Sequence, residues 1–260
     1  MNIAVCAKSV PVSSVVIEID PATKRVNREG VTKELDPQAA CGVEEALRIV
    51  EAQGEGTVTI VTMGRPDAVD DIRKALAMGV DRAILISDEA LAGSDTLATA
   101  KALAAAIRKE QFDLIITATE ATDTYSGLVP GQLAELLGIP PLTFAKELKV
   151  EGHKVTIRRQ TTFGYQTVEA ELPCLVAVSS GINEPRYPSL KGIMGAKRKE
   201  VLNYTAADLG LGTDQVGETG AREKVLGIGR PPVRDAGQIV TDEGDGGVKI
   251  ADFLAELKVL

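Results

Sequence analysis

Short β-prone apolar runs alternate with helical patterns through the first half of the 260-residue chain, and this alternation limits the folds open to it. Strands that alternate with helices form parallel sheets, because the chain must cross one face of the sheet before it adds the next strand. The sequence therefore predicts an α/β fold with a mainly parallel sheet flanked by helices. The predicted strands are residues 3–7, 57–63, 83–87 and 114–119, and the predicted helices are residues 38–53, 66–78 and 95–109.

The pattern changes after Pro140 and Pro141. Residues 155–159 and 167–171 alternate polar and apolar side chains around Gly164, which predicts an antiparallel pair beside the parallel sheet. A buried strand at residues 175–178 is expected to follow.

The last fifth of the chain has a different composition. Residues 210–247 are rich in glycine, proline and charge and show little periodicity, so this segment cannot bury a core of its own. Residues 248–259 regain the apolar spacing of a short helix, which then needs another surface to lie on. We expect an α/β domain at residues 1–204 and an extended C-terminal arm at residues 205–260.

Composition excludes several classes of function. The net charge is −8, Trp is absent and aromatic residues make up 3% of the chain, which argues against a nucleic-acid groove and predicts no nucleic-acid partner. No apolar run approaches the roughly 20 residues of a membrane span, and no signal peptide follows Met1, so we expect no membrane span and a cytoplasmic location. The widely spaced Cys6, Cys41 and Cys174 predict free thiols rather than disulfides or a metal site, and His153 is expected in solvent.

Residues 183–199 carry five of the chain's cations together with several apolar side chains. Two prolines fix the local φ angles and two glycines weaken any helix, so we expect a loop that exposes these apolar side chains. Exposed apolar side chains with charged neighbours are typical of a protein-docking surface, although a solvated basic turn has the same composition. The expected docking residues are Tyr187, Leu190, Lys191, Ile193 and Met194.

Residues 184–194, with the Lys/Arg-rich stretch after them, closely resemble the signature of the electron transfer flavoprotein β subunit. The resemblance covers nearly the whole chain, and a match in several ordered blocks is more specific than one motif. The further blocks are residues 1–10, Asp36-Pro37 with residues 42–46, residues 74–83, and residues 120–123 leading to residues 138–140.

The resemblance implies a non-catalytic electron carrier with an adenine-nucleotide alpha hydrolase-like fold. It implies a heterodimer with an α subunit that holds most of the FAD, and the C-terminal arm of β is expected to wrap onto α. The expected electron donors are acyl-CoA-type or other flavin dehydrogenases, and the expected acceptor is a downstream quinone reductase.

Ligands of open α/β sheets bind beyond the carboxyl ends of the strands, at loops that enter helices. In this chain such loops begin near Cys6, near Met63 and Gly64, near Asp95, and at residues 118–129. The last loop combines hydroxyl side chains with Gly127 before a predicted helix, which favours a phosphate site. Helix capping explains its Thr and Asp residues equally well, because the loop matches neither a P-loop nor a G-x-G-x-x-G turn.

The family resemblance implies a nucleotide held by these loops. Dehydrogenase-serving members hold AMP there as a structural ligand, whereas electron-bifurcating members hold a second FAD that accepts electron pairs from NADH. Carried over onto this sequence, the nucleotide-binding residues are Cys6, Asp36, Pro37, Gln38, Ala39, Met63, Gly64, Ala118, Thr119, Glu120, Ala121, Thr122, Asp123, Thr124, Tyr125, Ser126, Gly127, Leu128 and Val129.

The choice between AMP and a second FAD depends on a few positions. Asp95, Thr96 and Thr99 resemble the bifurcating type. Ser13 and Gln38 replace aromatic residues of the mitochondrial type, which leaves more room for a second FAD. The loop at residues 118–129 departs from the bifurcating pattern, and residues 183–199, the docking segment, are of the dehydrogenase-serving type.

We therefore expect AMP. The first alternative is a bifurcating NADH-oxidising flavoprotein, which would use a second FAD and a ferredoxin or flavodoxin acceptor. The second alternative is a solitary nucleotide-binding regulator of universal-stress type.

Overall fold

The computed structural model describes residues 1–28, 30–229, 232–233, 237 and 239–259. The chain divides into two compact units, residues 1–225 and residues 226–260. In chain order the strands are β1 (Asn2–Cys6), β2 (Ser9–Pro11), β3 (Lys33–Leu35), β4 (Thr57–Met63), β5 (Arg82–Ile86), β6 (Leu114–Ala118), β7 (Pro141–Glu151), β8 (Lys154–Thr161), β9 (Gly164–Glu171), β10 (Cys174–Val178) and β11 (Val201–Tyr204). The helices are α1 (Pro37–Gln53), α2 (Ala68–Met78), α3 (Thr96–Ile107), α4 (Val129–Leu137), α5 (Leu190–Ala196), α6 (Gly217–Gly220) and α7 (Gly246–Glu256).

A nine-stranded sheet forms the centre of the first unit, in the order β11-β5-β4-β1-β6-β10-β7-β8-β9. The strands from β11 to β7 pair in parallel, whereas β7, β8 and β9 pair antiparallel. The predictions of a mainly parallel sheet and of an antiparallel pair are confirmed, with β8 and β9 as that pair. The strands that were not predicted are β7, β11 and the small antiparallel pair of β2 and β3.

Sequence patterns missed β7 and β11 for different reasons. The β7 register shifts between Ala145 and Glu147, and this bulge interrupts the alternation of polar and apolar side chains that marks a strand. Strand β11 has four residues and lies at the edge of the sheet, so few of its side chains are buried.

Helices cover both faces of the sheet. Buried side chains of α1 and α2 pack on one face, against residues such as Val5 and Ile116. Buried side chains of α3 and α4 pack on the other face, against residues such as Ala4 and Ile115. The side chains of successive residues in a strand point to opposite faces of the sheet, so a single strand contributes side chains to the cores on both faces.

The strand order reverses between β1 and β6. After β1 the chain leads to α1 on one face, and after β6 it leads to α4 on the other face. The two loops therefore diverge at the carboxyl ends of these neighbouring strands and leave a crevice between them. Doubly wound sheets bind their ligands at such a switch point.

The docking segment differs from its prediction. The expectation of a loop is wrong for Leu190–Ala196, which forms α5. The hydroxyl of Ser189 caps this helix by accepting from the Gly192 N–H at 3.0 Å. Gly192 is needed there, since a Cβ at this position would lie 2.2 Å from the Ala77 carbonyl oxygen of α2.

The second unit contains the predicted terminal helix, α7. None of its residues is buried, and its apolar side chains at Val248, Ile250 and Phe253 are exposed. Several residues of the expected arm (230, 231, 234–236, 238 and 260) lie outside the described residues. The arm boundary at residues 204 and 205 remains a prediction.

We predict that a larger residue at position 42 of α1 destabilises the fold. A Cβ there would lie 3.2 Å from Ile116 Cγ2 and 3.6 Å from Val5 Cγ1, so Gly42→Val should lower the free energy of unfolding by about 1–3 kcal/mol. Chemical denaturation measures this change. The matched control is Gly131→Val in α4, where a Cβ would meet nothing within 4 Å. Equal stabilities for the two variants would show that α1 does not approach the sheet this closely.

Candidate functional site

Asp36 joins the start of α1 to the loop that follows β6. The residue is 1% exposed, and its Oδ1 caps α1 by accepting from the Gln38 N–H at 2.8 Å. Its Oδ2 accepts from the N–H of Thr122 at 2.8 Å and from the Thr122 hydroxyl at 3.2 Å. Both carboxylate oxygens are therefore engaged within the chain, and Asp36 fixes the position of the loop.

Asp123 links the same loop to two cations. Its side chain is fully buried, and its two oxygens lie 2.6 Å from Lys8 Nζ and 2.7 Å from Arg28 Nη2. Burial raises the pKa of Asp123, but the Coulombic attraction and hydrogen bonds from these cations outweigh it, so the pKa lies below its ordinary value. The ionised carboxylate thus ties the segments that follow β1 to the loop that follows β6.

The loop after β6 presents backbone donors at its outer end. Tyr125 and Gly127 both have positive φ, at 47° and 64°. Among the described groups, the N–H groups of Ser126, Gly127 and Leu128 have no hydrogen-bond partner. The first turn of α4 follows directly, and its N–H groups lie at the positive end of a helix dipole. This part of the loop can accept an anion.

Cys6 and Thr117 occupy paired positions on β1 and β6 at the bottom of the crevice. Burial raises the pKa of the Cys6 thiol to about 12, so it remains neutral and unreactive at physiological pH. Thr117 is 4% exposed, and its hydroxyl lacks a hydrogen-bond partner within the described part of the chain. A buried hydroxyl without a partner suits a site where a ligand supplies that partner.

Met63 and Gly64 lie at the carboxyl end of β4, beside Cys6 in the sheet order. Met63 packs against the α3 and α4 core, and the Gly64 N–H donates to the Ile86 carbonyl at 3.0 Å. The structure therefore brings together the sequence-predicted residues of β1, β4, the start of α1 and the β6 loop, at one edge of the sheet.

Asp95 is engaged by the chain itself. Its Oδ1 caps α3 by accepting from the Ala98 N–H at 2.8 Å, and its Oδ2 accepts from the N–H groups of Arg222 and Glu223 at 2.5 and 3.1 Å. Close by, the Arg25 guanidinium lies against Gly93 and pairs with Glu218 at 2.6 Å. Residues 217–223 therefore cover the start of α3.

The two threonines that were predicted together with Asp95 to lie along a second FAD have different surroundings from Asp95. The Thr96 hydroxyl is buried and has no partner among the described residues, whereas Thr99 is half-buried along α3.

The docking segment exposes its apolar side chains. Tyr187 is 96% exposed and Leu190 is 75% exposed, and Ile193, Met194 and Lys191 are exposed as well. Here the sequence prediction of exposure agrees with the structure, although the residues from Leu190 onward are helical.

Sequence reasoning missed Lys8 and Arg28 as members of the site. Lys8 follows the first apolar run closely, and a cation at the end of a predicted strand was an available signal. Arg28 gave no local signal, because its approach to Asp123 spans 95 positions of the chain.

In the described part of the chain, no group of three or more His, Cys, Asp or Glu side chains could hold a metal ion, and no helix is long and apolar enough to cross a membrane. The three cysteines are free, as predicted.

Comparisons with known proteins identify the family. A family model described as "Electron transfer flavoprotein domain" matches residues 23–209. A relative from Mycobacterium leprae named electron transfer flavoprotein subunit beta is 42% identical over 264 residues, covering 100% of this chain and 99% of the relative. A protein of the same name from Megasphaera elsdenii is 40% identical over 98% of this chain and 97% of its own length. The caffeyl-CoA reductase-Etf complex subunit CarD of Acetobacterium woodii is 38% identical over 93% of this chain and 92% of its own length.

These matches confirm the resemblance that the sequence blocks indicated. The family model spans most of the first unit, and the relatives align over nearly the whole length of the chain. The chain belongs to the electron transfer flavoprotein family.

Proposed function

We propose that the chain is the β subunit of a heterodimeric electron transfer flavoprotein. It pairs with an α subunit that holds most of the FAD, and the complex relays electrons from flavin dehydrogenases to a downstream acceptor such as a quinone reductase. When bound, the FAD supplies the reversible uptake and release of electrons. A cytoplasmic location is part of the proposal, since thiols such as Cys6 stay reduced there.

The observation that carries this proposal is the convergence of the β1, β4 and β6 loops with the start of α1 at the switch point of the sheet. We propose that this crevice holds AMP. The free N–H groups of Ser126, Gly127 and Leu128 suit a phosphate, and the unpartnered Thr117 hydroxyl suits a buried polar group of the ligand. Lys8 and Arg28 add positive charge beside the crevice, which favours an anionic ligand.

The contacts of Asp95 favour AMP over a second FAD. Both of its oxygens accept from the chain, and residues 217–223 lie over the start of α3, where a second flavin would have to fit. The buried Thr96 hydroxyl, which has no partner among the described groups, favours the second FAD instead. In that alternative the complex would oxidise NADH and use a ferredoxin or flavodoxin acceptor.

The arm and the docking segment support an assembly rather than a solitary regulator of the universal-stress type. Helix α7 presents Val248, Ile250 and Phe253 without burying them, so its apolar side needs another surface. We propose that the arm lies on the α subunit and that Tyr187 and Leu190 dock on the dehydrogenase.

Nucleotide release tests the proposal directly. Denaturing the purified heterodimer and separating the released nucleotides by chromatography should give AMP and FAD in equal amounts. Two FAD per heterodimer, together with NADH consumption, would support the bifurcating alternative. A folded monomer that functions without an α subunit would support the regulator.

Substituting Gly127 should expel the AMP. Its φ of +64° disfavours any L side chain, and the Gly127→Glu carboxylate would also repel the phosphate, so the variant heterodimer should release FAD with little AMP. The matched control is Gly152→Glu in the β7–β8 turn, which has a similar φ of +61°. A Cβ there would meet nothing within 4 Å, and a Cβ at Gly127 would meet only Glu120 Oε2, at 3.7 Å, so neither substitution clashes with the chain. Equal AMP contents in both variants would place the phosphate elsewhere.

Removing residues 226–260 should abolish stable pairing with the α subunit. Residues 1–225 form a compact unit with their own core, so the truncated chain should remain folded and can be compared with the full chain by size-exclusion chromatography. Normal pairing and normal FAD retention by the truncated chain would contradict the role of the arm.

Leu190→Ala should weaken docking to the dehydrogenase. Truncating a central apolar anchor commonly costs about 2 kcal/mol or more of binding free energy. Electron transfer at subsaturating concentrations of the dehydrogenase should therefore slow sharply, while the FAD spectrum and pairing with α stay unchanged. Lys191→Gln should have a smaller effect that shrinks as salt rises. Wild-type rates for Leu190→Ala would show that docking uses another surface.

A further inference from the structure

The exposed side chains of the docking segment cannot fix their own position. Tyr187 and Leu190 are mostly in solvent, so packing within the chain does not orient them. Their geometry must come from the residues on either side. Two sets of contacts hold the segment, one to α1 and one to α2.

Arg186 forms the contact to α1. Its Nε lies 2.7 Å from Glu44 Oε2, and its backbone N–H donates to the same oxygen at 3.2 Å. Its Nη2 donates to Glu44 Oε1 at 3.2 Å and to Glu51 Oε2 at 2.9 Å, while Nη1 donates to Glu51 Oε1. The guanidinium is thus held by two carboxylates that lie about two turns apart on the same helix.

Neighbouring residues support this contact. The Asn183 amide donates to the Cys41 carbonyl at 2.9 Å and to Glu45 Oε1 at 2.8 Å. Arg48 Nε donates to Glu44 Oε1 at 2.7 Å, so Glu44 retains one cationic partner even without Arg186. Burial raises the pKa of Glu44, but the hydrogen bonds from the two arginines bring it below its ordinary value.

The contact to α2 holds the far end of the segment. Ala196 is buried in the core, and its carbonyl accepts from Arg73 Nη1 at 3.3 Å. Lys199 Nζ donates to the carbonyls of Leu76 and Val80 at 3.0 and 2.6 Å. Tyr187 and Leu190 therefore lie on a short span that is fixed at both ends.

We propose that Arg186 is a positioning residue for docking on the partner dehydrogenase. Its guanidinium, held by Glu44 and Glu51, keeps Tyr187 and Leu190 in the docking geometry before the partner arrives. This inference rests on the proposed docking function of the segment. Fixing a binding segment in advance removes the entropy cost of ordering it on association.

Geometry rather than charge explains this role. Two carboxylates neutralise the guanidinium, so Arg186 adds little positive field to steer an acidic partner. A planar guanidinium can bind two carboxylates at once, whereas an ammonium group acts as a single point charge. The effect of losing Arg186 should therefore persist at high salt, unlike the effect of losing an exposed cation.

The test uses the complete heterodimer, with an acyl-CoA dehydrogenase reduced by its acyl-CoA substrate as the electron donor. Arg186→Gln should raise the KM for the dehydrogenase about tenfold at both low and high salt, with little change in kcat. Arg186→Lys should recover part of this loss. Hydrogen–deuterium exchange of residues 187–196 should increase in Arg186→Gln, while α1 and α2 exchange as in the wild type.

Arg198→Gln is the matched control, because it removes an exposed guanidinium from the same segment. It should change KM by less than about threefold, and the change should vanish at high salt. Glu51→Gln removes one carboxylate at the exposed end of the contact and should shift KM and exchange in the same direction as Arg186→Gln. It also tests the inference if Arg186→Gln does not fold.

Leu190→Ala separates failure of this inference from failure of the docking proposal. If Leu190→Ala slows electron transfer but the Arg186 and Glu51 variants match the wild type in KM and exchange, the positioning role is overturned and docking stands. An Arg186→Gln effect that disappears with salt would also overturn it. Wild-type behaviour of Leu190→Ala would overturn the docking proposal itself, and the positioning role with it.

Discussion

The close approach of α1 to the parallel sheet is the constraint on which both proposed functional regions depend. Gly42 lets the helix lie against Val5 and Ile116 without an intervening side chain. This contact fixes the helix as a rigid element over the centre of the sheet. Because a helix packed this closely cannot shift, the contacts that its side chains make at different turns keep fixed positions relative to one another.

Both proposed functional regions are attached to this one helix. Asp36 at its start holds the β6 loop through Thr122, and Glu44 and Glu51 further along hold Arg186 of the docking segment. The proposed nucleotide crevice and the proposed docking surface thus share a common support. A substitution that moved α1 would be expected to disturb both.

The buried ion pairs of this protein fix the positions of chain segments more than they stabilise the fold. The side chain of Asp123 is fully buried between Lys8 and Arg28, and that of Glu44 is nearly buried between Arg48 and Arg186. Removing a carboxylate from water costs free energy that the ion pair largely offsets, so such pairs add little net stability. They do fix the relative positions of segments that lie far apart in the sequence. This is the property that an anion-binding crevice and an exposed docking segment both require.

The sequence by itself determined the α/β class, the four central parallel strands, the helices between them and the β8–β9 pair. The spacing of apolar side chains along each of these elements shows which of its faces is buried, and this spacing can be read from the local sequence. Its ordered motif blocks also indicated the family. Tertiary structure decided what those patterns could not encode. A bulge in β7 interrupts the alternation of polar and apolar side chains that would have marked it as a strand. Helix α5 forms because Ser189 caps it and Gly192 fits against α2. Arg28 contacts Asp123, which lies 95 positions away in the chain. The fit of Gly192 against α2 and the contact of Arg28 with Asp123 join residues distant in sequence, and only the folded chain brings such residues together.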